Sequence, residues 1–487
     1  MSTTTATTPT TATELEAILA AAQQAATSWA ALRPAARAEV LDAVADALDA
    51  AAETLIPVAM AETNLPQERL TGELKRTTFQ LRIFGEVLRD GAYLDARIDH
   101  ADAQWPMGAP RPDLRRVLEP LGPVVVFAAS NFPFAFSVAG GDTASAWAAG
   151  NPVILKAHSG HPELSIATAN VITDALAAAG VPDGVFALVL GTEAGATALK
   201  DPRVKAGGFT GSIPGGRALF DMANARPEPI PFYGELGSNN PVFVTAAAAT
   251  QRGAQIATEF VGSFTMGAGQ FCTKPGTIFV PHGSVIIEAL RTTELPAPAA
   301  LLNKRIQSGY LEVLEALQGH EKVSVLAQGS DPLADPPSPT LLLTTAEDLL
   351  AHPESLQTEC FGPTALVVEY TSESELVALA ESFEGQLTAT IIGNDDCKVA
   401  DLLEVLARKA GRVLWNQWPT GISVTYAQQH GGPYPATTSV GSTSVGTAAI
   451  SRFLRPVAYQ GFPQALLPEA LQDANPLNVP QMINGKR

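Results

Sequence analysis

The sequence is short of cysteine, of charge and of basic residues. Three cysteines in 487 residues cannot build a disulfide framework, and none stands at metal-ligand spacing from another. Each thiol therefore has to be weighed alone. Charged residues make up 16% of the chain against 46% hydrophobic, which excludes wholesale disorder and leaves ample apolar material for large cores. Lys and Arg number 31 against 49 Asp and Glu, a formal net charge of −18. That balance argues against a nucleic-acid partner, whose phosphates need a surplus of cations, and weakly against an anionic membrane surface. A small anionic ligand stays open, because it needs only a local cation. No run approaches the ~18 apolar residues of a membrane span. The opening MSTTTATTPTTA has neither the basic nor the apolar region of a signal peptide. It reads as a frayed polar tail, and a soluble, cytoplasmic protein is the default expectation.

At roughly 100–200 residues per domain, the length suggests two to four domains. From Ala12 to Met60 the apolar residues recur at helical spacing (Leu15, Ile18, Leu19; Val40, Leu41, Val44, Leu48). A further helix is expected over Leu74–Asp90, with Phe79, Ile83, Phe84, Val87 and Leu88 as its apolar stripe. Asp99–Pro120 reads as irregular. The rhythm then changes. Gly122–Ala128, Asn151–Lys156, Val185–Leu190 and Val204–Thr210 are short apolar runs of the kind that form buried parallel strands. Helical stretches at Val138–Ala149 and Glu163–Ala179 separate the first three, the second closed by Gly180. The alternation restarts at Pro241, with strands at Pro241–Thr245, Thr277–Pro281, Thr364–Glu369, Leu387–Ile392 and Arg412–Asn416 and helices at Thr250–Met266 and Val285–Leu295. This is a doubly wound α/β pattern followed by a second α/β unit. The last 40 or so residues read as strand and loop.

Cys272 lies in Gly-Gln-Phe-Cys-Thr (269–273), after an apolar helix and before a strand. Glycine-rich backbone lets a substrate approach a thiolate closely, although a buried structural cysteine is an equal reading on composition alone. Cys360 and Cys397 lack such surroundings and read as structural. Ser130-Asn131-Phe132-Pro133 closes the first strand of the α/β unit, where ligands gather in such folds. An Asn amide there can donate to an oxyanion, yet Asn-x-Pro is also ordinary turn chemistry. Glu235 stands between glycines in GELGS (234–238), where partial desolvation would raise its pKa towards that of a useful base. A solvated loop acid is the alternative. Gly208-Phe-Thr-Gly211-Ser212, with Gly215 and Gly216, follows a strand and opens a helix as a phosphate-cradling turn does, but its spacing is not the usual dinucleotide fingerprint.

Taken together, SNFPF around Asn131, Lys156 after VIL, GFTGS at 208–212, GELGS at 234–238, GQFCT at 269–273 and ECFGP at 359–363 resemble, in order and spacing, the aldehyde dehydrogenase superfamily over about residues 12–460. The resemblance implies an α/β fold with a Rossmann-type cofactor domain (12–98 and 121–236), an α/β catalytic domain (237–445) and a small β oligomerisation element (99–120 and 446–487). It implies that Cys272 attacks an aldehyde, that its own N–H and the Asn131 amide hold the oxyanion, that hydride passes to a nicotinamide, and that Glu235 activates the water that releases a free carboxylate. By the same resemblance Lys156, Ser159, Gly211, Ser212, Gly216, Glu359 and Phe361 contact the cofactor, no metal is involved, and the protein is a homodimer or homotetramer.

Two departures from the family pattern sharpen this. Where NAD-preferring members usually carry Lys-Pro-Ser-Glu, this chain has Lys156-Ala157-His158-Ser159. Ser159 removes an anion that would repel a 2′-phosphate, so NADP is expected to be accepted and preferred, with NAD still possible; His158 reads as a surface residue. The C-terminal HGGPYPATT (430–438), with WNQWPTG (415–421), resembles the branch that oxidises α-ketoglutaric semialdehyde or fatty aldehydes. Matching by position lines the substrate tunnel with Arg76, Phe132, Ala135, Phe271, Thr273, Val424 and His430. Arg76, with Arg82 as runner-up, could pair with a substrate carboxylate. A solvated helix arginine is the alternative. The favoured substrate is the carboxylate-bearing α-ketoglutaric semialdehyde; the alternatives are a fatty or broad-range aldehyde, or a non-catalytic family member.

Overall fold

A computed structural model describes residues 8–486. The first seven residues of the expected polar tail lie outside the described residues. The rest of that tail is packed: the Thr10 N–H donates to the Leu190 carbonyl at 3.0 Å, and the Leu190 N–H donates to the Thr10 hydroxyl at 2.9 Å. Thr11 then caps α1 (Ala12–Ala31), its hydroxyl accepting from the Glu14 N–H while the Glu14 carboxylate accepts from the Thr11 N–H, a reciprocal capping box. Next come α2 (Pro34–Ala50), α3 (Ala52–Thr63) and α4 (Gln67–Asp90).

Helix α4 starts a full two turns before the expected Leu74, and its stripe differs. Leu70, Leu74, Leu81, Phe84 and Leu88 are buried, whereas Phe79 is 50% exposed. Nine residues at 3.6 per turn put Phe79 half a turn away from Leu70, on the solvent side. Between those faces runs a third stripe at i, i+4, i+7 and i+11: Arg69, Glu73, Arg76 and Gln80. This polar stripe faces inward.

Strands β1 (Ala96–Asp99) and β2 (Leu114–Pro120) come next, so the 99–120 stretch is not wholly irregular. Then follow β3 (Val124–Phe127), β4 (Val153–Lys156), β5 (Phe186–Val189), β6 (Ala206–Thr210) and β7 (Phe232–Glu235). These five form a parallel sheet in the order β5-β4-β3-β6-β7. The strand order reverses beside β3, the place where doubly wound sheets bind ligands at their carboxyl ends. Asn131, Lys156, Gly211 and Glu235 all come at or just after the carboxyl ends of β3, β4, β6 and β7. Glu235 is the last residue of its strand and 3% exposed, not a solvated loop acid.

The remaining strands are β8 (Val242–Val244), β9 (Thr277–Pro281), β10 (Ser324–Gln328), β11 (Thr340–Thr345), β12 (Thr364–Tyr370), β13 (Gln386–Ile392) and β14 (Ala410–Trp415). They make a seven-stranded sheet, β10-β11-β12-β9-β8-β13-β14, antiparallel only at β10. Last come β15 (Leu454–Gln460) and β16 (Gln481–Ile483), which join the first two strands in a small sheet, β15-β2-β1-β16. The helices Lys304–Gln318, Glu375–Ser382 and Ala400–Lys409 and the strands β10 and β11 have no counterpart in the sequence reading. They are short or bury few positions; Lys304–Gln318 buries only Gln307, Tyr310, Leu314 and Leu317. No helix among the described residues is long and apolar enough to cross a membrane.

Candidate active site

Cys272 follows a turn in which Gly267, Ala268 and Gly269 all have positive φ (57°, 54° and 69°). A Cβ on Gly269 would collide with the Gly362 backbone, so glycine is what lets the 359–364 loop close on the nucleophile turn. The turn is held from behind by Asn240, whose amide donates to the Cys272 carbonyl at 2.8 Å and the Lys274 carbonyl at 2.9 Å. Asn131 donates its side-chain amide to the Gln270 carbonyl at 3.2 Å, and its own carbonyl accepts from Arg69 at 3.0 Å. The sequence-chosen pair Asn131 and Cys272 thus meets in space through Gln270.

The thiol faces an acid and an imidazole. Cys272 Sγ lies 3.5 Å from His430 Nε2, and the same nitrogen lies 2.6 Å from Glu235 Oε1. Ser444 donates its hydroxyl to the other Glu235 oxygen. Burial alone would push the Glu235 carboxyl up, but His430 and Ser444 outweigh it and hold the group below the usual carboxylate range. This corrects the sequence expectation of a raised pKa: desolvation is there, and a partner that only the fold brings in overcomes it. The Cys272 thiol is pushed up by burial and then by the Glu235 carboxylate, with Arg76 pulling back. Sγ, Nε2 and the carboxylate all lie within 4.8 Å of one another. Two ligands on one tetrahedral zinc would stand about 3.3 Å apart, so the 2.6 Å contact has the geometry of a shared proton. His430, expected only to line the tunnel, therefore touches both the thiol and the acid.

Phe132, Ala135, Phe271 and Phe136 pack into one cluster beside this group. The guanidinium of Arg69 lies over Phe132 and Phe271 at 4.6 and 4.5 Å, and that of Arg76 over Phe132 and Phe136 at 5.4 and 5.2 Å. Arg76 Nε and Nη2 are both buried without a hydrogen-bond partner among the described residues. Burial holds Arg76 below its usual value, while Glu73, Cys272 and Glu235 pull it up, so it stands within electrostatic reach of the Cys272 thiol. Glu73, which the sequence reading missed, is 5% exposed and accepts the Phe134 and Ala135 N–H groups at 2.8 and 3.0 Å, pinning the turn after Asn131. Its inward placement was readable from its helical spacing to Arg69 and Arg76. Val424 packs with Ile83 and Val445, with Phe136 against them; Thr273 is buried. Arg82 is excluded: it points to solvent and pairs with Asp46 and Asp49 at 2.6 and 2.8 Å. Arg412, also missed, reaches the thiol electrostatically from β14 and is held low by burial.

On the other side of Cys272, the groups suit a dinucleotide. Lys156 ends β4 with no carboxylate partner among the described residues, lowered by burial and by Arg305. Ser159 is exposed. His158, expected at the surface, is half-buried: it stacks on buried His161 at 5.5 Å, and burial pushes it down to about 3. Gly211 follows β6, and Ser212 caps the helix Ile213–Asn224 by accepting the Gly215 N–H. A Cβ on Gly216 would collide with Leu236, and one on Gly237 with the Glu359 carboxylate. Glu359 is pushed up to about 7 by burial, with Lys274 pulling back; Phe361 is half-buried beyond it. Cys360 is buried among core residues and Cys397 is partly exposed. A free cation, a glycine turn at a helix start and a carboxylate close to backbone are what a phosphate, a pyrophosphate and a ribose diol require.

A parallel sheet with its switch point at β3, joined to a second sheet across a Cys-His-Glu group, defines the class. The chain belongs to the aldehyde dehydrogenase family, whose model matches residues 2–294 and 313–456, and members of that family use NAD or NADP. It is 45% identical over 457 residues to an α-ketoglutaric semialdehyde dehydrogenase of Acinetobacter baylyi, covering 92% of this chain and 86% of that one. It is 47% identical over 463 residues to α-ketoglutaric semialdehyde dehydrogenase 2 of Azospirillum brasilense, covering 93% and 87%. The fold matches 1-pyrroline-5-carboxylate dehydrogenase from Thermus with bound NAD at a TM-score of 0.76 and 20% identity, covering 93% and 86%.

Proposed function

We propose that this protein oxidises α-ketoglutaric semialdehyde to 2-oxoglutarate with NADP. The observation that carries the substrate is Arg76: Nε and Nη2 form one edge of the guanidinium, and both are buried, without a hydrogen-bond partner among the described residues, within electrostatic reach of the thiol. That edge matches a carboxylate bidentately. A fatty aldehyde would leave it unpaired, at a cost of about 1–3 kcal/mol. Phe132, Phe271 and Val424 would hold the short carbon chain between the carboxylate and the reacting carbon.

Cys272 is the nucleophile. Its proton passes to His430 Nε2 as sulfur attacks the aldehyde carbon. The imidazolium then donates to Glu235, which stabilises it. The Cys272 N–H and the Asn131 amide hold the oxyanion of the resulting thiohemiacetal. NADP, when bound, accepts the hydride. Lys156 and Ser159 would hold its 2′-phosphate end, Gly211, Ser212 and Gly216 its pyrophosphate, and Glu359 with Phe361 its nicotinamide ribose. The thioester left on Cys272 is hydrolysed by a water whose proton Glu235 takes; the departing thiolate regains its proton from the His430 imidazolium, and the acid is released. Strand β15 lies at an open edge of the small sheet, which supports assembly as a homodimer or homotetramer, and we place the enzyme in the cytoplasm.

The test is a panel of aldehydes of equal length with and without a terminal carboxylate, each with NAD and with NADP. Preference for the carboxylate-bearing substrate and for NADP supports the reading; preference for a neutral aldehyde refutes the substrate assignment.

A further inference from the structure

Lys274 is two residues past the nucleophile, 3% exposed, and makes no salt bridge among the described residues. Its ammonium donates to three carbonyls: Cys360 at 2.6 Å, Gly362 at 3.2 Å and Thr364 at 2.7 Å. Burial lowers the pKa of this group, and three acceptors, the full complement for an ammonium's three donors, work the other way and favour the charged form. A buried cation without a contacting anion is costly, and structural need alone does not explain it, because a neutral donor could tie the same loop. Glu359 stands at the head of the loop that Lys274 grips, one residue before the Cys360 carbonyl that the ammonium holds, and the two groups feel each other's charge. The main chain that carries Lys274 also carries Cys272, and one Asn240 amide holds both of their carbonyls.

We propose that Lys274 is a positioning residue: it locks the 359–364 loop to the nucleophile's own turn and supplies the cation that faces Glu359. The proposal rests on the reading of Glu359 as the group that takes the nicotinamide-ribose hydroxyls. The Glu359 carboxylate lies against the backbone at Gly237; the groups that act on it electrostatically are Lys274, the Ser238 N–H and the Cys272 and Cys360 thiols. Lys274 is the one cation among these, and burial works against the carboxylate. Without the ammonium, Glu359 would hold its proton to higher pH and be a poorer acceptor for the hydroxyls at neutral pH.

The test measures NADP affinity of the full-length enzyme by protein fluorescence between about pH 6 and pH 9, a range spanning the Glu359 value. Four proteins are compared: the parent, Lys274→Met, Lys274→Gln (neutral, but still a donor) and Glu359→Gln. In the parent, binding should tighten as pH rises through about 7. Both Lys274 variants should bind at least about tenfold more weakly near neutrality and recover only at alkaline pH, and Glu359→Gln should be weak and flat. If Glu359→Gln leaves affinity unchanged, the ribose reading fails. If it weakens binding while the Lys274 variants keep the parent's affinity and profile, or weaken it equally at every pH, the Lys274 assignment is overturned. Hydrogen exchange of the parent gives a check that needs no variant: NADP should protect 359–364 and 271–276 together, and protection of only one segment contradicts the lock.

Discussion

Glu235 and His430 form a buried pair, Oε1 to Nε2 2.6 Å apart, whose imidazole nitrogen also lies 3.5 Å from the Cys272 sulfur. One nitrogen cannot hold two protons. The thiol can therefore ionise only when Nε2 is free to accept, and the imidazolium so formed is then stabilised by the carboxylate. Burial and two carboxylates push the thiol up, so a base in contact with the sulfur would favour the thiolate.

Replacing His430 by Ala should accordingly slow alkylation of Cys272 by iodoacetamide at neutral pH by about a hundredfold or more, the scale of a lost general base. The measurement is a time course of thiol loss in the enzyme without cofactor. An unchanged rate would remove His430 from the proton path.

Glu235→Gln should slow the second half of the reaction, thioester hydrolysis, far more than the first. Rapid mixing should show a burst of reduced cofactor near one equivalent per subunit, followed by turnover slowed by about 10²–10⁴, with an acyl group on Cys272 by mass spectrometry. Because the Glu235 carboxyl is held below its usual range, its stabilising effect is present above the unfolded value and is lost as pH falls through the lower folded value. Glu235→Gln should therefore cost thermal stability near neutrality, with the deficit shrinking in acid.

The strands were legible wherever the chain is apolar without interruption, as in Val124–Phe127 and Val153–Lys156. Cys272 and Glu235 stood out through their glycine-rich neighbourhoods, and Asn131 through its place after the first strand of the α/β unit. The roles of His430 and Glu73 were not. His430 reaches Cys272 across 158 residues of chain, and nothing local marks it as an acid–base group. Glu73 looks like a solvated helix acid until α4 is extended back to Gln67 and its third stripe appears. The raised pKa expected of Glu235 failed for the same reason: burial can be guessed from a local pattern, whereas a partner on a distant loop cannot.

Ser159→Glu should reverse the cofactor preference. A carboxylate beside Lys156 would repel the 2′-phosphate and offer an acceptor to the ribose hydroxyls, so NADP affinity should fall at least about tenfold while NAD affinity holds or improves. Binding of 2′,5′-ADP against 5′-ADP by calorimetry reads this without turnover. No change in the ratio would place the 2′-phosphate elsewhere.

The most direct measurement of the account is kcat/KM of the parent and of Arg76→Ala on α-ketoglutaric semialdehyde and on a neutral aldehyde of the same length, with NADP saturating. A lost bidentate contact to a buried carboxylate corresponds to about a hundredfold, so the variant should lose about that factor on the semialdehyde and less than about threefold on the neutral aldehyde. Equal losses on both would contradict carboxylate recognition by Arg76.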